Sequence, residues 1–406
     1  MKAFRRQQAS AAQFLRAASN VFLRIICKCL WPAARPVTPE RLCIYRIGNI
    51  GDAACAIPAM YAVRTAFPRA RITLITSPGK RGLTGARELL DGAEWLDEIL
   101  VYYAEDIETV PGRIKLFGAM RARRFDLWIE LPAVAATLPT LIRNMIVAWA
   151  SGARWGFGWQ YDRMHLAAAA QSEFIAFPDE VERLAAIVEA GGIPVREISF
   201  PIALNDERVR SVDEALNRAR LSHPLVALAP GAKLEPNRWP AERFVEVGRH
   251  LEGQGFAIAI LGGASDVALG EQIARGIGPA AESLAGRTSL LESCEVLRRC
   301  SLVICNDSGV QHLAAAVGTP CVSLFACRDF KGKWRPHGSG HVVIRKSVDC
   351  DTCFLDKCPY DNRCIKLIEV DEVIASADRK LAELDGAASR GLRPSQGSTG
   401  QARRSA

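Results

Sequence analysis

From Arg41 onward the chain alternates short apolar runs with helical stretches, and after an irregular middle the alternation starts again. "RLCIYRI", "ARITLIT", "DEILVYY" and "FDLWIEL" read as strands. "AACAIPAMYAVRTAF", "RGLTGARELLDG" and a basic segment read as the helices between them. The stretch from about 150 to 205 is less regular and holds one helix, "DEVERLAAIVEAGG". "PLVALAPGA", "FAIAILGGA", "SLVICNDSG" and "PCVSLFA" then read as a second set of strands, separated by "AERFVEVGRHLEGQG", "DVALGEQIARGI", "LLESCEVLRRC" and "VQHLAAAVG". Such an order implies a parallel sheet covered on both faces. The expected class is α/β, with two consecutive parallel-sheet domains at 40–205 and 206–375 and a boundary near 200–222. A length of 406 residues, 49% of them hydrophobic, is enough for two cores. The final helix, "VDEVIASADRKLAELDG", closes at 386 and is a candidate to return to the first domain. Residues 387–406, rich in Gly, Ser, Arg and Gln, are expected to be disordered.

The formal charge of +8 lies at the ends of the chain. Residues 1–39 carry seven basic groups and no acid, and residues 387–406 carry four and no acid, which leaves the remainder near −3. A body of that charge is not a nucleic-acid-binding surface. The basic ends point to anionic lipid or to no specific partner. Between Phe14 and Leu30, the apolar residues Phe14, Ala18, Val21, Phe22, Ile25 and Ile26 share one half of a helical wheel, and Arg16, Arg24 and Lys28 the other. A basic amphipathic helix of this kind can lie in a membrane interface or pack on the domain. No run reaches the length of a membrane span, and charges interrupt any secretory signal. The expected location is cytoplasmic, peripheral on the inner face of the membrane, where the thirteen cysteines are mostly core thiols.

In open α/β sheets ligands bind beyond the carboxyl ends of the strands, and four stretches occupy such ends. In "RIGNIGDAACAIPA", Gly48 and Gly51 permit a tight turn and a close approach, with Asp52 at the helix start. The spacing is not that of a dinucleotide fingerprint, and no acid follows about twenty residues later to hold a ribose. Asp52 is either a helix cap or a general base facing a cleft. In "APGAKLEPNRWP", Lys233 and Arg238 sit on a loop before a helix, a good phosphate site. "LGGASD" ends a strand on two glycines and places Asp266 after them. In "NDSGVQHLAAAVGTP", Asp307 and Ser308 start a helix, Gly309 lets a ligand approach, and Ser308 and His312 share a helical face near its positive end. Free N–H groups, a hydroxyl and an imidazole there suit a diphosphate.

"RIGNIGDAACAIPAMYAVRTAFPRARITLIT", "PGAKLEPNRWPAERF" and "CNDSGVQHLAAAVGTPCVSLF", in this order, resemble glycosyltransferase family 9, the heptosyltransferase family, over about residues 41–375. The resemblance implies the GT-B fold: two Rossmann-like parallel-sheet domains facing a central cleft, with the donor held by the second. It implies transfer of heptose from ADP-heptose, with inversion, onto the lipopolysaccharide core or a related glycan acceptor. The family's base falls on Asp52 and its donor motif on Asp307, Ser308, Gly309 and His312. The family's lysine before Trp-Pro is here Arg238, which keeps the charge with a different geometry. Lys233 is a candidate to share the task, and the ribose-contacting acid is matched loosely by Asp266. No cofactor is expected for catalysis. A nucleotide-sugar epimerase of the same architecture and a non-catalytic nucleotide-sugar-binding protein are the alternatives.

"CDTCFLDKCPYDNRC" places Cys350, Cys353, Cys358 and Cys364 close together. The spacing admits structural zinc or iron, disulfides, or free thiols shaping a loop, and none of these readings gives the cluster a part in the chemistry.

Overall fold

Strands that alternate with crossover helices must be covered on both faces, and their apolar runs are buried accordingly. In the computed structural model, which describes residues 2–134, 136–161, 178–216 and 223–389, the chain divides into units Met1–Ser199 and Phe200–Ala406. That division falls a few residues before the expected 205/206.

The first unit holds β1 (Arg41–Tyr45), β2 (Arg71–Thr76), β3 (Glu98–Val101), β4 (Leu127–Glu130) and β5 (Gly156–Phe157) in one sheet of order β3-β2-β1-β4-β5. Every pairing is parallel; β1 runs beside β2 from Arg41↔Arg71 to Tyr45↔Ile75 and beside β4 from Leu42↔Leu127 to Tyr45↔Glu130. The order reverses across β1 and β4, so their following loops diverge and leave a crevice at their carboxyl ends. The loop after β1 feeds helix Ile50–Ala66, which packs on helix Glu180–Ala190.

The second unit repeats this winding with one strand more. β6 (Leu225–Ala229), β7 (Ala257–Ile260), β8 (Ala281–Ser283), β9 (Leu302–Asn306), β10 (Cys321–Phe325) and β11 (Val342–Arg345) form a parallel sheet of order β11-β10-β9-β6-β7-β8. The equivalent switch point lies between β6 and β9.

Three expectations need correction. The final helix, Val370–Ser389, does not return to the first domain: Val373, Ala377 and Leu381 are buried in the second unit's own core. It also runs through Ser389, past the expected end at 386; residues 390–406 lie outside the described residues. "RGLTGARELLDG" supplies only the one-turn helix Ala86–Leu89.

The N-terminal helix, Lys2–Leu30, is longer than its amphipathic core suggested, and it docks. Leu23 is buried at 1% exposure, and Ile26, Cys27 and Leu30 pack on the first unit's core. Just beyond it, Trp31 stacks on Trp159 at 5.3 Å and donates its Nε1–H to the Ala153 carbonyl at 2.7 Å. Asn20 adds a two-way hydrogen bond to the Tyr161 backbone. Phe14, Leu15, Val21, Phe22 and Ile25 stay exposed, Phe14 at 72%.

Candidate active site

The crevice of the first unit is built around a buried cation. Arg46, directly after β1, donates from Nη2 to Asp52 Oδ1 and to Glu180 Oε1, both at 3.1 Å. Its Nη1 donates to the Pro132 carbonyl, beyond β4, at 3.0 Å. Glu180 starts the helix Glu180–Ala190 and is also held by Arg183 through two bonds of 2.7 Å. A buried arginine of this kind is tolerable only with its donors satisfied, and here two carboxylates and backbone carbonyls do so.

Asp52 caps its helix and still keeps its side chain partly exposed. Asp52 Oδ2 accepts the Asn49 backbone N–H at 3.0 Å, which caps the helix, while Oδ1 faces Arg46. Its side chain remains 22% exposed. Burial pushes the carboxyl above its ordinary value, Arg46 opposes this, and Glu180 adds to it. The turn requires glycine at one of the two expected positions. Gly48 has φ +144°, and a Cβ there would stand within 2.5 Å of Asp52 Cγ. Gly51 lies inside the helix, outside the positive-φ region.

At the second unit's switch point the polarity is reversed. Arg238 donates from Nε to the Ala232 carbonyl at 2.9 Å and lies 3.9 Å from Asp266 Oδ1, with the arginine side chain 43% exposed and the aspartate 14%. Asp266 is itself fixed by the Gly263 N–H at 3.0 Å. Gly231 and Gly262 make room for it, since a Cβ at Gly231 would stand 2.6 Å from Asp266 Oδ2. Lys233 is exposed on the same loop.

The loops after β6 and β9 are stapled together. Buried Asn306 donates to the Pro230 carbonyl at 2.6 Å and accepts the Trp239 N–H at 3.1 Å. Asp307 accepts from Gln311 Nε2 at 2.9 Å, and its carboxyl is pushed up to about 7 by burial and by Asp329, against the Gln311 hydrogen bond and Arg328. Helix Gly309–Ala316 begins at Ser308, whose Oγ is buried with no protein partner. A hydroxyl so placed at a helix N-terminus, beside unbonded N–H groups, suits an anion. His312 is buried, edge-on to Trp334 at 6.1 Å. Asp307, Ser308, Gly309 and His312 are thus together at one helix start, and Lys233, Arg238 and Asp266 at the loops after β6 and β7.

The sequence reading gave no role to Arg46, Glu180, Arg183 or Asn306. Arg46 stands in the opening motif, but its partner Glu180 comes from a distant helix. Asn306 stood in view beside Asp307, and a polar residue closing an apolar strand is the signal for a loop staple.

The cysteine stretch is not drawn into one metal-binding set. Cys350, Cys353 and Cys358 are half-buried in the loop, while Cys364 is buried and hydrogen-bonded to Cys327, a partner outside the expected four. Among the described residues no group of three or more His, Cys, Asp or Glu is disposed to hold a metal. The Asp349-Cys350-Asp351 run has Asp-x-Asp spacing, yet its carboxylates are ion-paired with Arg363 and Arg345.

Comparison with known proteins bears on this arrangement. Residues 113–363 match glycosyltransferase family 9 (heptosyltransferase). The lipooligosaccharide heptosyltransferase 2 of Haemophilus influenzae is 36% identical over 107 residues, 25% of this chain and 31% of that protein. The lipopolysaccharide heptosyltransferase 2 of Escherichia coli is 27% identical over 228 residues, 52% of this chain and 63% of that protein. The chain thus spans less than two thirds of the length of these relatives. In fold it is similar to the glycosyl transferase family 9 protein of Veillonella parvula, with a TM-score of 0.68 at 19% identity, covering 85% of this chain and 98% of that one. With more than half of its length matched, and two parallel-sheet units of the same kind, this chain belongs to glycosyltransferase family 9, the heptosyltransferases.

Proposed function

We propose that this chain transfers heptose from ADP-heptose, with inversion, to a hydroxyl of a lipopolysaccharide core or related glycan. The observation that carries the reading is Asp52: a carboxylate anchored on one oxygen by its helix and on the other by a buried arginine, still partly open to solvent. A sugar hydroxyl is a poor nucleophile and needs a base that takes its proton as it attacks. In the proposed step Asp52 accepts that proton, the acceptor oxygen bonds to the anomeric carbon, and the bond from that carbon to the diphosphate oxygen breaks, releasing ADP. The growing charge on the diphosphate is met by Arg238, Lys233 and the N-terminus of helix Gly309–Ala316. Ser308 Oγ is free to donate to it. Membership in a glycosyltransferase family favours transfer over the epimerase and the non-catalytic readings.

The exposed face of the N-terminal helix supports seating at an anionic membrane. Five exposed apolar side chains lie among Arg16, Arg24 and Lys28, and residues 1–39 hold no acid.

Thermal melts with ADP-heptose, UDP-glucose and GDP-mannose, followed by mass analysis of a lipopolysaccharide-core acceptor, test the reading. ADP-heptose is expected to raise the melting temperature most and to add one heptose to the acceptor. Stabilisation and transfer by another sugar nucleotide alone would overturn the assignment of the donor. Cosedimentation with phosphatidylglycerol vesicles should fall for Phe14→Ser/Phe22→Ser; equal cosedimentation would remove the helix from that role.

A further inference from the structure

A pocket of about 620 Å³ opens in the first unit between the sheet and helices Val110–Ala122 and Leu138–Ala150. It has no part in the chemistry above. Its walls are Tyr45, Tyr102, Phe117, Met120, Trp128 and Val147. Most of the polar atoms in these walls bond to one another. The Tyr45 and Tyr102 hydroxyls bond each other at 2.6 Å. Asn144 donates to Glu130 at 2.8 Å and accepts from Arg143 at 3.0 Å, and the Trp128 indole N–H donates to Glu130 at 3.3 Å. What faces the space is therefore mostly hydrocarbon and aromatic ring. A sugar or nucleotide placed there would lose its hydrogen bonds to water with no replacement; a hydrocarbon chain would lose nothing, and the volume lies within the range of small-molecule sites.

The rim has the opposite character. Arg113 and Arg143 line the pocket and are exposed, and among the described residues no acid pairs with either. Residues 109–124 contain Arg113, Lys115, Arg121, Arg123 and Arg124 with no acid, and residues 131–155 contain Arg143 and Arg154 with no acid. The same two helices expose Val110, Ile114, Ile146 and Trp149, and the N-terminal helix packs on the second of them. An apolar well with a cationic rim suits an alkyl chain carrying an anionic head.

We propose that this pocket binds a single alkyl chain of an anionic amphiphile, with the head group on Arg113 and Arg143. The chain could come from a bilayer phospholipid or from the lipid part of a glycolipid acceptor. The site rests on the first unit alone, so its test needs neither sugar donor nor turnover.

Calorimetry with dodecyl phosphate, below its micelle concentration, is the direct measurement. Binding is expected for the wild-type chain, with inorganic phosphate far weaker. Arg113→Gln/Arg143→Gln gives up bonds to the Ile107 carbonyl and to Asn144; with its melt shown to match wild type, it should weaken dodecyl phosphate on the order of tenfold. The same variant should leave dodecyl maltoside, with its neutral head, unchanged. Met120→Trp should fill the well and abolish binding of both; Val147→Trp serves the same purpose if Met120→Trp melts early. Dodecyl phosphate binding no tighter than inorganic phosphate would overturn the proposal. So would wild-type binding by folded Met120→Trp and Val147→Trp. Self-association that Met120→Trp abolishes and dodecyl phosphate does not disturb would assign the pocket to a second copy and equally overturn it. Nanodiscs separate the two sources. A loss caused by the arginine variant on phosphatidylglycerol alone identifies bilayer lipid, and a loss seen only when lipid A is added identifies the acceptor.

Discussion

The two units are wound in the same order around their first strand, yet they finish the crevice beside that strand with opposite charge. In the first, a buried cation, Arg46, holds a partly exposed carboxylate, Asp52. In the second, a mostly buried carboxylate, Asp266, stands beside an exposed cation, Arg238. Each crevice uses one charge as a support and presents the other. Glycines make room for the carboxylate in both: Gly48 clears Asp52, the presented charge of the first unit, and Gly231 and Gly262 clear Asp266, the support of the second. One fold thus presents a carboxylate in one unit and a cation in the other by exchanging the order of two charges. Function follows from the site and not from the winding.

The comparison is broken most easily at the presented charges. Asp52→Asn keeps the shape of the carboxylate and removes its basicity; transfer should fall by about 10²–10⁴-fold, while ADP binding, proposed above for the second unit, should not move. Undiminished turnover would strip Asp52 of its role. Removing the support has a different signature. Arg46→Met leaves Asp52 and Glu180 without their shared cation, and a loss of about 3–5 kcal/mol in urea unfolding is expected; a stability within error of wild type would show the cation to be dispensable. In the second unit Arg238→Gln should weaken ADP on the order of tenfold by calorimetry without altering the melt, the loss of one charge-assisted contact. Unchanged affinity would pass the anion to Lys233 and the helix start.

A further expected effect is a pH slope. The Asp307 carboxyl is raised from 3.8 to about 7, so it loses its proton near neutrality. Because the folded state binds this proton more tightly than the unfolded chain does, stability from this group declines as pH climbs from 3.8 to about 7. ADP adds negative charge beside it, so affinity should fall as the pH rises through about 7, and Asp307→Asn should flatten that part of the slope. An identical slope in the variant would place the anion elsewhere.

The fold was legible because parallel strands buried on both faces read as continuous apolar runs; β1, β6, β9 and β10 each stand out in the sequence. β5, β8 and β11 did not, being short and at or near the sheet edges, where little burial constrains their composition. Asp52, Arg238 and the Asp307–His312 run were legible as residues just beyond strand ends. Their supports were less so. Glu180 reaches Arg46 from the far end of the unit, and Cys327 reaches Cys364 from the loop after β10. Such pairings depend on which helix start or loop meets which strand end, a property of topology that local spacing does not encode. Asp52 also shows that capping a helix and presenting a carboxylate are compatible, since a carboxylate has two oxygens to divide between them.

The N-terminal helix is fastened to its unit by Leu23, Trp31 and the Asn20–Tyr161 pair. A segment so fastened is a foot and not a leash. Whatever surface its outer face rests on, the crevice holding Asp52 stands at a set height above that surface. On the proposed function, a glycan whose hydroxyl projects to that height would be the one within reach. The docking of one helix would then act as a ruler, selecting acceptors by how far they stand out from the layer in which they are rooted.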